Sequence, residues 1–191
     1  MKRLRSEGGF TLVELLTVTV ILTIVLTGLT TLFVQGSNAV LDMNNRFQAQ
    51  LNARLALDRL RRDLHCANGA TITNSGATLT LTDPCLNANA SNLAWCTSGS
   101  GSKYGLYRTT GNPASCSSSS TRYIDFLTIA APFWYDAPST QSLGKVHVDL
   151  PVNVKPTRTV DTYELCDVIV LRNTTRTGAA VATVPATTPR C

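Results

Sequence analysis

An uninterrupted apolar run near the amino terminus constrains this chain more than any other feature. From Phe10 to Val34 there are 25 residues, and Glu14 is the only one with an ionisable side chain. As an α-helix rising about 1.5 Å per residue, the run is about 37 Å long, enough to cross a hydrocarbon core about 30 Å thick. We therefore predict a membrane-spanning helix. Its carboxylate requires a partner, because an acidic group at membrane depth costs roughly 2.5–3.5 kcal/mol.

The basic residues around the run predict its orientation. Lys2, Arg3 and Arg5 precede it closely, and the next basic residue is Arg46. By the positive-inside rule the amino terminus stays in the cytoplasm and the chain after Val34 is exported. The run exceeds the apolar core of a secretory signal, about 7–15 residues, and no Ala-x-Ala site follows it. We expect a single-pass protein of the cytoplasmic membrane with an extracytoplasmic head.

Cleavage between Gly9 and Phe10 would supply the missing partner. The new α-amine of Phe10 lies four residues before Glu14, and the amine of a neighbouring copy can pair with the same carboxylate. The string from Gly9 to Glu14 (Gly-Phe-Thr-Leu-Val-Glu) resembles the prepilin peptidase site of the type IV pilin and type II secretion pseudopilin family. The resemblance implies cleavage after Gly9, N-methylation of Phe10 and a role for Glu14 in subunit assembly. The alternative is an uncleaved signal anchor whose Glu14 reaches the membrane interface.

The resemblance also implies partners. These are the prepilin peptidase/methyltransferase, other pilins or pseudopilins of the same filament, the inner-membrane assembly platform and the membrane itself. The run from Leu55 to Leu64 resembles the end of the first helix in minor subunits of the J-type pseudopilin and PilW class. The presence of Glu14 argues against the K-type cap subunit, which usually lacks this carboxylate.

Behind the apolar run the spacing predicts an amphipathic helix that packs one stripe on a sheet. The stripe comprises Val40, Met43, Phe47, Leu51, Leu55, Leu60 and Leu64, with Ala49, Ala53 and Leu57 beside it. Pairs of opposite charge four residues apart, such as Arg59 and Asp63, are interpreted as a solvated face. The segment Gly36-Ser37-Asn38 can loosen or break the helix, although the resemblance implies that it continues.

The predicted fold class is α+β and pilin-like: a long amino-terminal helix packed on a mainly antiparallel sheet with disulfides. Its predicted divisions are the leader 1–9, the membrane and filament-core helix 10–35, the amphipathic half 36–66 and the β-rich head 67–191. Strands are predicted at 70–73 and 78–82 (a hairpin around Asn74-Ser75-Gly76), 104–109, 122–130 (a central strand), 145–150, 163–172 and 180–184. Loops are predicted at 83–103, 110–121 and 132–142. The aromatic triplet Phe133-Trp134-Tyr135 is either an exposed patch or part of the core.

Six cysteines follow the apolar run, at Cys66, Cys85, Cys96, Cys116, Cys166 and Cys191. An even number in an exported chain predicts disulfides, and Cys85–Cys96 is one candidate pair. Their spacing does not favour a zinc site, and the acidic residues lack the spacing of a calcium loop. No metal or other cofactor is predicted.

The remaining sequence carries no catalytic signature, so we predict that the chain is not an enzyme. His65 is interpreted as a helix cap, and His147 alternates with two valines on a strand and is expected to face solvent. From residue 67 onward nine basic residues face seven acidic ones, which argues against direct nucleic-acid binding.

The predicted function is that of a minor pilin or pseudopilin, which primes or joins a type IV pilus-like filament in a pilus, competence or type II secretion system. Two alternatives remain: a DNA-binding tip subunit for DNA uptake, and a membrane-anchored extracellular adhesin or enzyme.

Overall fold

The computed structural model describes residues 9–82, 92–110, 120–139 and 141–172. Within them one helix precedes eight strands. They are α1 (Leu12–Cys66), β1 (Gly69–Thr73), β2 (Thr78–Thr82), β3 (Asn92–Ser100), β4 (Lys103–Thr110), β5 (Thr121–Leu127), β6 (Phe133–Asp136), β7 (Lys145–Asp149) and β8 (Cys166–Val170). The chain divides into two compact units, Met1–Asn44 and Asn45–Cys191, and the second unit contains all eight strands. The predicted class, a long amino-terminal helix followed by a mainly antiparallel sheet, is confirmed.

The first sheet is an antiparallel meander in the order β1-β2-β3-β4-β5. The predicted hairpin at its start is confirmed, with Gly69 opposite Thr82 and Thr73 opposite Thr78. Four residues, from Asn74 to Ala77, connect the two strands, and Asn74, Ser75 and Gly76 have positive φ (52°, 54° and 100°), which asparagine and glycine adopt more readily than most residues. Local turn chemistry therefore sets the register of the first two strands.

The second sheet joins β6, β7 and β8 in antiparallel pairs. Trp134 lies opposite His147, and His147 lies opposite Val168. Isolated bridges pair Val152 with Leu127, the last residue of β5, and with Tyr163, which lies three residues before β8. The predicted strand 180–184 and the cysteines at 85, 116 and 191 lie outside the described residues.

Three predictions about the head strands are wrong. The predicted loop 83–103 contains β3, whose residues from Leu93 to Cys96 are all buried. The predicted loop 132–142 contains β6, and all three of its aromatic side chains are buried. The strand predicted as central, β5, lies at an edge of its sheet. The loop was predicted because this stretch is rich in glycine and serine. Gly99, however, lies within β3 beside the turn to β4, where a Cβ would lie 2.3 Å from the Lys103 carbonyl oxygen, so glycine is required in the hairpin itself.

The helix α1 runs through Gly28 and Gly36 without a break, as the resemblance implied. Its buried face differs from the predicted stripe. Leu60 and Leu64 of the stripe are buried as expected, as are Ala49, Ala53 and Leu57 beside it, and Ala56 and Asp63 complete the buried face. The larger side chains predicted to pack on the sheet, Val40, Met43, Phe47, Leu51 and Leu55, are exposed. The buried stripe therefore contains more alanine than the predicted one, and its large apolar members are leucines.

Candidate processing and assembly site

The backbone around the predicted cut is not helical. Gly9, Phe10 and Thr11 precede the first residue of α1, Leu12. Phe10 is 82 % exposed, and the space beside Gly9 is open. Proteases act on exposed, non-helical chain, so the Gly9–Phe10 peptide bond lies in a conformation that an enzyme can bind.

Thr11 caps the helix immediately after this bond. Its Oγ1 accepts a hydrogen bond from the Glu14 N–H at 3.3 Å, and its carbonyl oxygen accepts one from the Leu15 N–H at 3.2 Å. Thr-x-x-Glu is the sequence of a capping box. In this motif the N-cap threonine side chain accepts a hydrogen bond from the backbone N–H of the third helical residue, here Glu14. This role of Thr11 was not predicted, although the Thr-x-x-Glu spacing indicates it.

Glu14 occupies the first turn of α1 and is exposed. A carboxylate there interacts favourably with the helix dipole, by about 0.3–1 kcal/mol at an exposed site. This is less than the 2.5–3.5 kcal/mol cost at membrane depth, so the dipole alone does not compensate the charge. The predicted pairing of Glu14 with the amine of Phe10, which requires cleavage, stays a prediction.

The apolar segment behind Glu14 is exposed along its full length. Every large apolar side chain from Phe10 to Val34 has at least 49 % of its surface accessible. An 18-residue window of α1 has a mean hydropathy of 2.3 and no buried residue, and α1 is the one described helix long and apolar enough to cross a membrane. Length and composition fit the predicted span.

The threonine hydroxyl groups of this segment form hydrogen bonds within the helix. Six of them donate to a carbonyl oxygen three or four residues earlier at 2.7–2.9 Å: Thr17, Thr19, Thr23, Thr27, Thr30 and Thr31. Such bonds make threonine tolerable in an apolar environment.

Four large apolar side chains continue beyond the membrane-length segment. Met43, Phe47, Leu51 and Leu55 follow one another at four-residue spacing, and we call them the outer ridge. Their exposure ranges from 41 % to 74 %. The head does not use these side chains for its own core, which leaves them available to another molecule.

Asp63 is the centre of a buried polar network between α1 and the first sheet. Its carboxylate accepts hydrogen bonds from Trp95 Nε1 at 3.1 Å and from Arg108 Nε at 2.8 Å. Arg59 Nε lies 3.4 Å from the other carboxylate oxygen, and Asp63 is only 6 % exposed. The interpretation of the Arg59–Asp63 pair as part of a solvated face is therefore wrong, because strands β3 and β4 cover it.

Three arginines of α1 contact the second half of the head. Arg46 forms a bidentate ion pair with Asp161, at 2.8 and 2.9 Å. Arg54 donates to the Tyr163 hydroxyl at 3.1 Å, and its guanidinium carbon lies 5.6 Å from that ring's centre.

The third arginine, Arg61, contacts β8. Its Nε donates to Asp167 at 2.6 Å. This hydrogen bond raises the pKa of the Arg61 guanidinium; the charges of Asp167 and Asp58 act in the same direction, whereas burial opposes them. Together the three contacts fasten one face of α1 to the head.

His147 was predicted to face solvent, but its side chain is largely buried. Its side chain is only 12 % exposed, its ring stacks on Trp134, and Nε2 lies 2.7 Å from an Asp136 carboxylate oxygen. Burial of the neighbouring Tyr135 raises the pKa of its phenol, whose hydroxyl is buried without a hydrogen-bond partner. Among the described residues no group of three metal-binding side chains comes together.

The described cysteines are in two states. Cys66 carries a thiol, whereas Cys96 and Cys166 carry disulfide-bonded sulfurs. The predicted pairs involve cysteines outside the described part of the chain, so the connectivity, including Cys85–Cys96, stays a prediction.

A family model of the prokaryotic N-terminal methylation motif matches residues 4–30. No curated protein and no solved structure matches the chain. The matched residues include the predicted cut, Thr11 and Glu14, and they end inside the apolar segment. The match supports a type IV pilin-like protein with a membrane-anchoring amino-terminal helix.

Proposed function

We propose that the chain is a minor pilin or pseudopilin that primes or joins a type IV pilus-like filament after prepilin peptidase removes residues 1–9. In the proposed sequence the peptidase cuts after Gly9, Phe10 is N-methylated, and the mature subunit leaves the membrane by packing its apolar helix against others. The observation that carries the proposal is a methylation motif that extends into a continuous, exposed apolar helix.

The proposed role of the helix follows from its exposed surface. In the bilayer, lipid covers the side chains from Phe10 to Val34; outside it, only other apolar surfaces can replace the lipid. A filament core of parallel helices provides such surfaces, and pairing of Glu14 with an N-terminal amine aligns neighbouring helices. The outer ridge adds apolar surface beyond the membrane-length segment and supports lateral packing of the amphipathic half.

The ion pairs of the head favour this function over a DNA-binding tip. Arg46, Arg61 and Arg108 contact Asp161, Asp167 and Asp63, respectively. A guanidinium that already pairs with a carboxylate of its own chain is a poor phosphate ligand, because the ion pair must first break. The described head therefore offers little concentrated positive charge to a DNA backbone.

The proposal is tested by the mass of the mature protein purified from host membranes and from sheared filaments. We expect cleavage after Gly9 and one added methyl group on the new terminus. In cells without prepilin peptidase, residues 1–9 should remain attached and the chain should be missing from filaments.

Gly9→Leu is expected to block cleavage, because a side chain at the cut obstructs close approach of the peptidase to the backbone. Gly8→Leu is the matched control, one residue away, and should be processed. A mature protein that retains Met1 in cells with working peptidase would overturn the proposal.

A further inference from the structure

Among the described strands, none pairs with the outer edge of β8. This strand ends the second sheet, and β7 contacts only its other edge. The Leu171 N–H donates to the Gly144 carbonyl oxygen at 2.9 Å, on the β7 side. Since backbone groups alternate in direction along a strand, the N–H and C=O groups of Val168 and Val170 point away from β7.

The outer edge of β8 lacks the features that block other sheet edges. Natural proteins protect such edges with bulges, proline, lysine or a covering segment. The edge strand of the first sheet, β5, has two register shifts, and the Asn153 N–H donates to its Phe126 carbonyl oxygen at 2.9 Å. In contrast, β8 forms five consecutive pairs with β7, contains neither proline nor lysine, and presents Val168 at 42 % exposure. Such an edge is suited to receive another strand.

The sequence around β8 is complementary to itself in the antiparallel direction. Residues 164–172 read Glu-Leu-Cys-Asp-Val-Ile-Val-Leu-Arg. When two copies pair antiparallel with Val168 opposite Val168, Leu165 lies opposite Leu171 and Glu164 lies opposite Arg172. Both charged side chains are exposed, and neither takes part in an ion pair between described residues.

We propose that the outer edge of β8 binds the same edge of a second copy of this chain, in an antiparallel pair centred on Val168. The two Val168 residues exchange both backbone hydrogen bonds, as opposed residues with outward backbone groups do. Glu164 of each copy pairs with Arg172 of the other, so the contact contains two equal ion pairs. A shift by two residues would move each charge about 7 Å from its partner, so the charges select this register.

The pairing has a defined orientation relative to α1. Arg46 contacts Asp161 and Arg61 contacts Asp167, so α1 from Asn45 onward runs in the same direction as the chain that leads into β8. An antiparallel pair has a two-fold axis, and the two helices therefore point in opposite directions. Neighbours in a core of parallel helices do not meet this condition. The paired copies belong to two filaments of opposite polarity or to two facing membranes.

This contact is weak between single copies. A strand of five residues is about 17 Å long, and its edge buries much less than the roughly 1,600 Å² of a stable interface. Copies arrayed on a filament or a membrane bind through many such pairs at once, which multiplies the affinity. The inference goes beyond the proposed function and rests on it only where filaments are concerned.

The inference is tested with phosphatidylcholine vesicles that carry many copies of the full-length chain. These vesicles should cluster, as measured by light scattering. Glu164→Arg and Arg172→Glu should each reduce clustering at least fivefold, because like charges then meet at both ends of the pair. Vesicles carrying one variant should cluster with vesicles carrying the other. The double variant, which exchanges the two charges, should cluster by itself.

A matched control separates this register from general attraction between oppositely charged vesicles. Arg62→Glu changes the net charge as much as Arg172→Glu does, at an exposed position of α1 outside β8. Vesicles with Arg62→Glu should cluster normally by themselves and should not cluster with vesicles carrying Glu164→Arg. Val168→Pro should abolish clustering, because it removes an N–H that points away from β7 and leaves the β7 hydrogen bonds intact.

Three results would each overturn the inference. They are vesicles of the unsubstituted chain that stay dispersed, as expected if another segment of the same chain covers β8; charge variants that cluster normally by themselves; and equal rescue by Arg62→Glu and Arg172→Glu. The assay requires neither cleavage nor a filament. Its failure would leave the mass of the mature protein and its presence in filaments unchanged, whereas failure of the proposed function would show there.

Discussion

Replacing Asp63 by asparagine should destabilise the head by about 3–5 kcal/mol. The substitution keeps the shape of the side chain but removes the charge that Arg108 contacts at 2.8 Å, and the Arg108 side chain is only 13 % exposed. Breaking a buried ion pair by removing one partner typically costs about 3–5 kcal/mol, because the remaining charge stays buried without compensation. The asparagine NH₂ group also faces donors of Trp95 and Arg108 in at least one orientation, so one bond becomes a clash of donors.

The effect is measurable by urea unfolding of the full-length protein in detergent with its disulfides intact. Tryptophan fluorescence is a suitable signal, because Trp95 donates to Asp63. In a thermal melt of the same sample, about 1 kcal/mol shifts the melting temperature of a chain of this size by about 2–4 °C, so the expected shift is roughly 6–20 °C. This range is large against the scatter of surface substitutions.

Asp58→Asn is the matched control on the same helix. Asp58 lies 3.5 Å from Arg61, and its side chain is 58 % exposed, so its loss should change stability by less than about 1 kcal/mol. If Asp63→Asn and Asp58→Asn had equal effects, the network would be a solvated surface feature and our reasoning about its burial would be refuted. A double substitution, Asp63→Leu with Arg108→Leu, should cost less than the sum of the single changes.

Three further predictions concern other parts of the chain. Tyr135→Phe removes a buried hydroxyl that has no hydrogen-bond partner, so at pH 7 the free energy of unfolding should be unchanged or slightly higher. Because burial raises the pKa of Tyr135 in the folded protein, the unfolded chain ionises first, so folding stability is retained below pH about 10 and is lost as the pH rises further; the variant, which lacks the phenol, should lose less stability than the parent in alkaline urea titrations. Ala53→Leu, at a fully buried position, should cost about 1–3 kcal/mol by overpacking, whereas Leu55→Ala on the exposed ridge should cost less than 1 kcal/mol in the same assay; the reverse order would refute the assignment of the buried face. Glu14→Ala should be processed normally but enter filaments poorly, and normal incorporation, measured by immunoblot of sheared filaments, would contradict the pairing argument.

Features encoded by neighbouring residues were predictable. The apolar run predicted the exposed first half of α1, and Asn74-Ser75-Gly76 predicted the hairpin. Both depend on local chemistry: side-chain hydropathy over one helix, and backbone preferences over one turn. The general antiparallel arrangement followed because short turns, rather than helices, separate the strands.

Features that depend on distant residues were not predictable from pattern. The strand β3 is flanked by residues typical of loops, and it forms because β2 and β4 supply hydrogen bonds on both edges. The Arg59–Asp63 pair has the spacing of a surface pair, yet Trp95 and Arg108, 32 and 45 residues away from Asp63, cover it. Periodicity also failed to show which face of α1 is buried. Two faces of the helix carry apolar residues at helical spacing, and the one that is buried is the one that contacts the sheet.

At the candidate site the sequence indicated Gly9, Phe10 and Glu14 but not the contribution of Thr11. The cap is hard to recognise in the sequence because Thr11 is one of seven threonines in the apolar run, and the other six donate backward to carbonyl oxygens. Thr11 differs because it precedes the helix, where N–H groups rather than carbonyl oxygens require partners.

The spacing of Arg46, Arg54 and Arg61 has a mechanical consequence. These residues are eight and seven positions apart, about two turns each, so their contacts with Asp161, Tyr163 and Asp167 lie along one side of the helix axis. A force that pulls α1 along its axis acts on all three contacts at once, in shear, together with the buried alanine and leucine face. Contacts arranged in this way share the load instead of opening one after another, so the head should resist being stripped from a helix under tension.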